Sequence, residues 1–174
     1  MIYQHSQSHP ENIQYSEEQS QDNIGIVMSG KRDQRVDVAI VSVLPDIQPF
    51  PYVYLIGPMG QIRDLQEEEL DPENPIRVLT CVQEPQETRR KEGIILEYPA
   101  HHIFEYPDRP KGLLMVGLIA TSIFTQPGDS GALLVDELGQ PMGMLIGIAE
   151  KRSFFMHIRN ICQAMQLKEF SDNT

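Results

Sequence analysis

The sequence contains no tryptophan, only two cysteines and few basic residues. Its 174 residues include 14 Lys and Arg against 25 Asp and Glu, which gives a formal net charge of −11. A nucleic-acid partner requires a basic face that neutralises phosphates, so this charge argues against nucleic acid and equally against an anionic membrane surface. Cys81 and Cys162 match no metal-binding spacing, and we expect no metal site. The two cysteines are compatible with a disulfide, but we favour two reduced thiols.

Long apolar runs are also missing. No stretch approaches the roughly 20 apolar residues that a membrane-spanning helix needs. The segment from Met1 to Gln14 is polar and lacks the hydrophobic stretch of a secretory signal. Together with the two thiols, these absences predict a cytoplasmic protein.

What the chain does contain is a series of short β-rich runs separated by Pro and Gly. Ser29–Asp33 is predicted as a turn between the first two runs, and apolar residues at helical spacing predict an amphipathic helix over 156–167. A mainly β chain, built as a barrel or sandwich with one closing helix, follows from this pattern. The predicted strands cover 24–28, 36–44, 52–56, 76–82, 93–98, 113–123, 132–136 and 142–148.

Two polar segments suggest how the chain is divided. Residues 1–23 are rich in Gln, Ser and Glu and predict a polar tail or loop. The acidic stretch 66–75 predicts a linker between a first β unit, 24–65, and a second, 76–167, which includes the closing helix and is followed by a tail at 168–174.

The most informative motif is Gly128-Asp129-Ser130-Gly131, which is followed by an apolar β run. The two glycines allow the backbone to turn tightly around Ser130, because glycine tolerates dihedral angles that other residues resist. Such a turn directs the amide groups of Gly128 and Ser130 into one small space, where they can act as an oxyanion hole. Ser130 is therefore the candidate nucleophile.

A serine nucleophile needs a base and a carboxylate that orients the base. Asp37 opens an apolar strand in the sequence Val-Asp-Val-Ala-Ile, which is equally compatible with a strand-end cap. The interval from Asp37 to Ser130 is about the Asp-to-Ser interval of a His-Asp-Ser triad in chymotrypsin order. Asp37 is therefore the candidate orienting carboxylate.

These residues give the chain a resemblance to the trypsin-like, chymotrypsin-fold serine peptidases, particularly their intracellular bacterial branch. The resemblance rests on Gly128-Asp129-Ser130-Gly131, on the strand at 36–40 and on the turn and strand at 139–147. It implies an all-β, chymotrypsin-like double β-barrel with a C-terminal α-helix. It also implies a serine-type endopeptidase that cleaves protein or peptide substrates through an acyl-enzyme on Ser130, without a cofactor.

The resemblance assigns further roles residue by residue. Ser130 would be the nucleophile, Asp37 the orienting carboxylate, and the amides of Gly128 and Ser130 the oxyanion hole. Phe124, six residues before the nucleophile, would lie at the base of the specificity pocket, or would instead be a core aromatic. The residues that edge this pocket would be Ile146 and Gly147. A Phe at the pocket base predicts no preference for Lys or Arg before the cleaved bond.

The chain departs from the family pattern at the base. The family places a histidine before the Asp, and only His5 and His9 precede Asp37. Neither stands in the small-residue context that the family has there, so both are compatible with a polar tail. We favour His5 as the base, because Pro10 stiffens the chain next to His9.

The first barrel also has little sequence before its histidine and is expected to be incomplete. Three interpretations stay open: a split protease whose N-terminal piece is separate, a shortened form of a complete enzyme, or a catalytically inactive peptidase-like binding or regulatory module. An incomplete barrel exposes strand edges, which favours pairing with a complementing N-terminal fragment or with a second copy in a homodimer.

Overall fold

The computed structural model describes residues 2–3, 25–45, 52–53, 55–83, 87–123 and 125–167. Within these ranges the chain is built mainly from β-strands and ends in a short helix, as the pattern of apolar runs predicted. The elements are β1 (Ile2–Tyr3), β2 (Gly25–Arg32), β3 (Asp37–Val43), β4 (Tyr52–Val53), β5 (Gly57–Pro58), β6 (Arg77–Gln83), β7 (Thr88–Tyr106), β8 (Arg109–Thr121), β9 (Leu133–Asp136), β10 (Pro141–Ala149), β11 (Arg152–His157) and α1 (Ile158–Ala164).

The first sheet is antiparallel and has the order β1-β3-β2. Strand β2 continues to Arg32, so the predicted turn over Ser29–Asp33 is wrong in its placement. The chain turns immediately after β2, because the carboxylate of Asp33 accepts hydrogen bonds from the amides of Arg35 (2.8 Å) and Val36 (3.2 Å).

The second sheet is a closed barrel with the order β10-β11-β8-β7-β6-β9. Strand β7 is 19 residues long, so the predicted strand over 93–98 is only part of it. Between the two sheets along the chain, β4 and β5 form a small hairpin in place of the single strand predicted over 52–56.

The C-terminal helix is shorter than predicted. Residues 156 and 157 belong to β11, and α1 begins at Ile158 and ends at Ala164. Strand β11 was not predicted, because Phe154, Phe155 and Met156 are all buried. A strand buried on both faces lacks the alternation of apolar and polar residues that marks a strand with one solvent-exposed face.

One apolar cluster joins the first sheet to the barrel. Val36 and Val38, which flank the first residue of β3, pack in it together with Met115 and Met156 of the barrel. A backbone hydrogen bond from the amide of Val116 to the carbonyl of Gln34, 2.7 Å long, links the two sheets at the same place. The start of β3 is therefore fixed against the barrel.

The segment before the acidic stretch is tied to the barrel by Arg63. Its guanidinium contacts the Asp136 carboxylate at 3.2 Å and the Glu69 carboxylate at 2.7 Å. Glu69 belongs to a single 3-10 turn, Glu67–Glu69. The division of the chain into units separated by a linker at 66–75 remains a prediction.

Candidate active site

Ser130 lies in a tight, exposed loop that precedes β9. The amide of Asp129 donates to the carbonyl of Gln126 (3.0 Å), and the amide of Ala132 donates to the carbonyl of Asp129 (3.0 Å). Gly128 and Gly131 have φ values of +102° and +89°, and these left-handed conformations are the reason for glycine at both positions. The loop is thus two consecutive turns around Ser130.

Asp129 stabilises this loop through its own backbone. Its side chain is buried, and Oδ2 accepts a hydrogen bond from the amide of Gln126 at 2.9 Å. Among the residues that the structure describes, no Lys, Arg or His lies within ion-pair distance of Asp129. The carboxylate therefore acts here as a turn residue.

The amides of this loop divide into two groups. Those of Asp129, Gly131 and Ala132 donate hydrogen bonds within the protein. The amides of Gly128 and Ser130 have no acceptor in the described part of the chain. An added Cβ at Gly128 or Gly131 would meet no atom within 4 Å, so the space around the loop is open. An oxyanion can be bound only by amides that the fold has not already used.

Strand β10 is hydrogen-bonded to the serine loop. The amide of Gly131 donates to the carbonyl of Leu145 (2.9 Å), and the amide of Leu145 donates to the carbonyl of Ala132 (2.9 Å). Ile146 and Gly147, predicted to bind substrate, follow Leu145 directly, and Ile146 is buried. Their position next to the serine loop is a finding, and their role stays a prediction.

Gly147 is covered by an aromatic ring. A Cβ at this position would lie 2.7 Å from a ring carbon of Phe104, so only glycine fits under that ring. Phe104 is held in turn by edge contacts with His102 (4.9 Å between ring centroids) and Phe154 (5.9 Å). The aromatic cluster therefore lies against the backbone of β10 at Gly147, two residues beyond Leu145, which is hydrogen-bonded to the serine loop.

Asp37, the predicted orienting carboxylate, is the first residue of β3 and is only 2% exposed. Its amide donates a 3.0 Å hydrogen bond to Sδ of Met156 in β11. Met156 pairs with Met144 of β10, the strand that supports the serine loop. Asp37 and Ser130 are therefore attached to the same part of the barrel, one from each sheet.

Tyr106, at the end of β7, lies beside Asp37. Burial, the charge of the Asp37 carboxylate and contact with that carboxylate all raise the pKa of Tyr106. Arg32 is the cross-strand neighbour of Asp37 in the β2–β3 ladder, and its guanidinium lies 4.9 Å from the centroid of the Tyr106 ring. The surroundings of Asp37 thus include a phenol and a cation.

Sequence reasoning missed Tyr106 and Met156 as neighbours of Asp37. His102, Phe104 and Tyr106 are aromatic at every second position, which in a strand indicates one continuous face. That spacing could have identified the aromatic face. Nothing in the sequence could have shown that it meets Asp37.

The predicted base and pocket residue, His5 and Phe124, lie outside the described residues. The histidines that the structure describes are His101, which is exposed, His102, which is half-buried, and His157, which is buried. No group of three or more His, Cys, Asp or Glu side chains in the described residues is arranged to hold a metal ion. Cys81 and Cys162 are not joined by a disulfide.

His157 performs a structural task at the start of α1. Its Nδ1 accepts a hydrogen bond from the amide of Arg159 (3.1 Å), and its Nε2 lies 3.7 Å from the Asp64 carboxylate. Burial lowers the pKa of His157, the negative charge of Asp64 opposes this, and the positive charge of Arg159 adds to the lowering. Burial therefore favours the neutral form of the imidazole, and its Nδ1 caps the helix.

Solved structures share the arrangement of these sheets. A search with the structure matches chymotrypsin from Cellulomonas bogoriensis with a TM-score of 0.59 and 20% identity, over 85% of this chain and 76% of that one. The MamO protease domain from Magnetospirillum magneticum matches with a TM-score of 0.58 and 12% identity, over 80% of this chain and 67% of that one. The Rv3671c protease of M. tuberculosis in its active form matches with a TM-score of 0.55 and 18% identity, over 86% of this chain and 62% of that one.

These similarities show the fold. The chain has the chymotrypsin-like fold of these proteases, with a closed second barrel, a C-terminal helix and a first sheet that fits an incomplete barrel. The predicted fold class is confirmed. Comparison with protein-family models and with curated protein sequences gives no match. In the described part of the chain, no helix is both long and apolar enough to cross a membrane.

Proposed function

We propose that this protein is a serine-type endopeptidase that cleaves peptide bonds through an acyl-enzyme on Ser130. The observation that carries the proposal is the loop around Ser130: an exposed hydroxyl between two glycines of positive φ, with two adjacent amides that no described acceptor uses. The fold supports it, since the solved structures named above are proteases. The substrate is a protein or peptide, and no cofactor takes part.

In this reaction the base removes the hydroxyl proton of Ser130 while Oγ forms a bond to the carbonyl carbon of the substrate. The carbonyl oxygen becomes an oxyanion, and the amides of Gly128 and Ser130 stabilise it. The base then donates the proton to the leaving nitrogen as the C–N bond breaks. A water molecule, deprotonated by the same base, hydrolyses the acyl-enzyme and regenerates Ser130.

His5 is the proposed base, with Asp37 as its orienting carboxylate. In the described part of the first sheet, Ile2 pairs with Ile40 and Tyr3 with Ala39, so one step forward on β1 corresponds to one step back on β3. Along the chain, Tyr3 stands two residues before His5 and Ala39 two residues after Asp37, so the sequence distance to this pairing supports His5 over His9. His5 itself lies outside the described residues.

A fluorophosphonate probe, which reacts only with an activated serine, tests the proposal. We expect it to label the wild type, and to label neither Ser130→Ala nor His5→Ala, whereas His9→Ala is the matched control and should be labelled normally. Mass spectrometry of the labelled peptide identifies the modified residue. If a folded wild type is not labelled, the proposed hydrolysis is wrong, and the peptidase-like binding module becomes the better account.

The substrate pocket can be tested separately. If Phe124 forms its base and Ile146 and Gly147 form its edge, a peptide library should show no preference for Lys or Arg before the cleaved bond. Phe124→Asp should then introduce such a preference, because a buried carboxylate selects a cation. Strong cleavage after Lys or Arg by the wild type would contradict the assignment of Phe124.

The two edge strands of the first sheet, β1 and β2, support a partner strand. Each pairs only with β3 among the described strands, and such edges bind further strands readily. We propose that, in the cytoplasm, a complementing N-terminal fragment or a second copy of the chain supplies the strands that pair with these edges. Sedimentation of the purified chain, alone and with candidate fragments, distinguishes a monomer from either complex.

A further inference from the structure

The hydroxyl of Tyr106 is buried against Asp37. Its oxygen is shielded from water and makes no hydrogen bond of ordinary geometry with another described residue. A buried phenol without a partner is costly, so such a group normally finds an acceptor nearby. The Asp37 carboxylate is that neighbour, because its charge and its contact with the hydroxyl raise the pKa of Tyr106 in addition to burial.

Arg32 holds the Tyr106 ring in place from the first sheet. Its guanidinium lies 4.9 Å from the ring centroid, which is the distance of a favourable cation–π contact. The same guanidinium forms an ion pair with Asp108 at 3.1 Å, in the turn that follows Tyr106. Arg32 is also the cross-strand partner of Asp37. One cation thus fixes both the ring and the strand beside Asp37.

We propose that Tyr106 is a positioning residue, which donates its hydroxyl hydrogen to the Asp37 carboxylate and holds that carboxylate in the orientation the catalytic base needs. The inference rests on the proposed function, in which Asp37 orients the base. The donated hydrogen bond spreads the negative charge of Asp37 and fixes its rotamer from the barrel side. Tyr106 acts through Asp37 and touches neither substrate nor Ser130.

The contact can be measured without any activity. With tyrosines labelled at ¹³Cζ, NMR titration follows the ionisation of Tyr106, and Tyr106→Phe assigns its resonance. We expect the pKa of Tyr106 to fall towards the ordinary tyrosine value of about 10 in Asp37→Asn. It should be unchanged in Asp129→Asn, which alters a different buried carboxylate. An identical titration in the wild type and Asp37→Asn would overturn the inference.

The positioning role is tested by kinetics of Tyr106→Phe, which removes a single oxygen. Loss of one hydrogen bond to a charged group predicts a fall in kcat of at least about tenfold with little change in KM. The acid limb of the pH profile should move to higher pH, because a carboxylate that no longer shares its charge stabilises the protonated base more strongly. The matched control is Tyr98→Phe. Tyr98 lies near His157 and Asp64, and removal of its hydroxyl should change neither kcat nor the acid limb of the pH profile.

The two experiments separate failure of the inference from failure of the proposed function. If the wild type reacts with the fluorophosphonate and Tyr106→Phe has wild-type kinetics and pH profile, the function stands and the positioning role is wrong. A wild type that never reacts refutes the function, and the NMR titration then still decides whether Tyr106 and Asp37 are in contact.

Discussion

The backbone amide of Asp37 donates a hydrogen bond to the sulfur of Met156 over 3.0 Å, although the two residues are 119 positions apart. Asp37 begins the central strand of the first sheet, and Met156 lies in the barrel, where it is fully buried. A sulfur is a weak acceptor, but an amide buried without any acceptor would be destabilising. This contact therefore attaches the candidate orienting carboxylate to the barrel that carries Ser130.

Replacing Met156 with Leu should test this attachment. The volume is nearly conserved, which by itself costs less than about 1.5 kcal/mol, but the amide of Asp37 loses the Met156 sulfur as an acceptor. We expect the free energy of unfolding to fall by about 1 kcal/mol more than in Met142→Leu, and serine labelling to slow. Met142 is equally buried, and no described residue hydrogen-bonds to its sulfur. Equal urea midpoints for the two variants would show that the contact has no energetic role.

A second buried group, Asp136, organises the turn between β9 and β10. Its Oδ1 accepts hydrogen bonds from the amides of Leu138 (2.9 Å) and Gln140 (2.8 Å), and its Oδ2 contacts Arg63. Burial acts to lower the pKa of Arg63, but its hydrogen bonds to Glu69 and Asp136 outweigh this and raise the pKa. The two carboxylates together therefore favour the charged form of Arg63.

Asp136→Ala should destabilise the protein by about 3 kcal/mol, because it breaks a partly buried ion pair and removes the acceptor of two amides. The neighbouring Glu137→Ala is the matched control. Glu137 pairs with Arg77 on the surface, where both side chains are more than half exposed, and such pairs contribute about 0.5 kcal/mol or less. If thermal unfolding shows that Asp136→Ala and Glu137→Ala lower the free energy of unfolding by comparable amounts, this difference between the two carboxylates is contradicted.

The sequence predicts those features of this site that depend on residues close together along the chain, and it does not predict those that depend on contacts between distant residues. The loop around Ser130 is local: two glycines and a polar turn define its backbone, so the motif predicted it correctly. The strand that begins at Asp37 is equally local, because alternating β-branched residues mark it. The mainly β character of the chain and the helix near the C-terminus followed from the same kind of pattern, which left a barrel and a sandwich open.

The features that escaped prediction depend on tertiary contacts. Strand β11 is buried on both faces, and its apolar run continues into α1, so periodicity placed the start of the helix two residues too early. Tyr106 reaches Asp37 only because the long β7–β8 hairpin carries its end to the first sheet. No spacing along the chain encodes that contact.

Two substitutions test whether Asp129 supports the serine loop through its hydrogen bond to the Gln126 amide. Its carboxylate accepts a hydrogen bond from the amide of Gln126, an interaction that the amide oxygen of Asn also provides. Asp129→Asn should therefore retain serine labelling within about threefold of the wild type. Asp129→Ala should lower it by about tenfold or more, since hydrogen bonds to charged groups contribute about 1.5–3 kcal/mol. If the two variants are equally inactive, the negative charge of Asp129 is required and its hydrogen bond to the Gln126 amide does not explain its role.

His157 makes the stability of the fold depend on pH. Three charged or titratable side chains surround it: Asp64 before the acidic segment, Arg159 on α1 and Tyr98 on β7. Burial holds the pKa of His157 below the value of about 6.5 that it has in the unfolded chain. As the pH falls below about 6.5, His157 therefore takes up its proton earlier in the unfolded chain than in the folded one.

The contribution of His157 to stability should be complete above about pH 6.5 and should be lost as the pH falls towards and through the lowered pKa, with a slope of at most about 1.4 kcal/mol per pH unit. His157→Asn keeps an acceptor at the N-cap but cannot titrate, so its free energy of unfolding should be flatter between about pH 5 and 6.5. The exposed His101→Asn is the control and should retain the wild-type slope. Protonation of Nδ1 would remove the acceptor that caps the helix, so a titrating His157 must make stability depend on pH. Parallel curves for the wild type and His157→Asn would therefore show that His157 is not the titrating group.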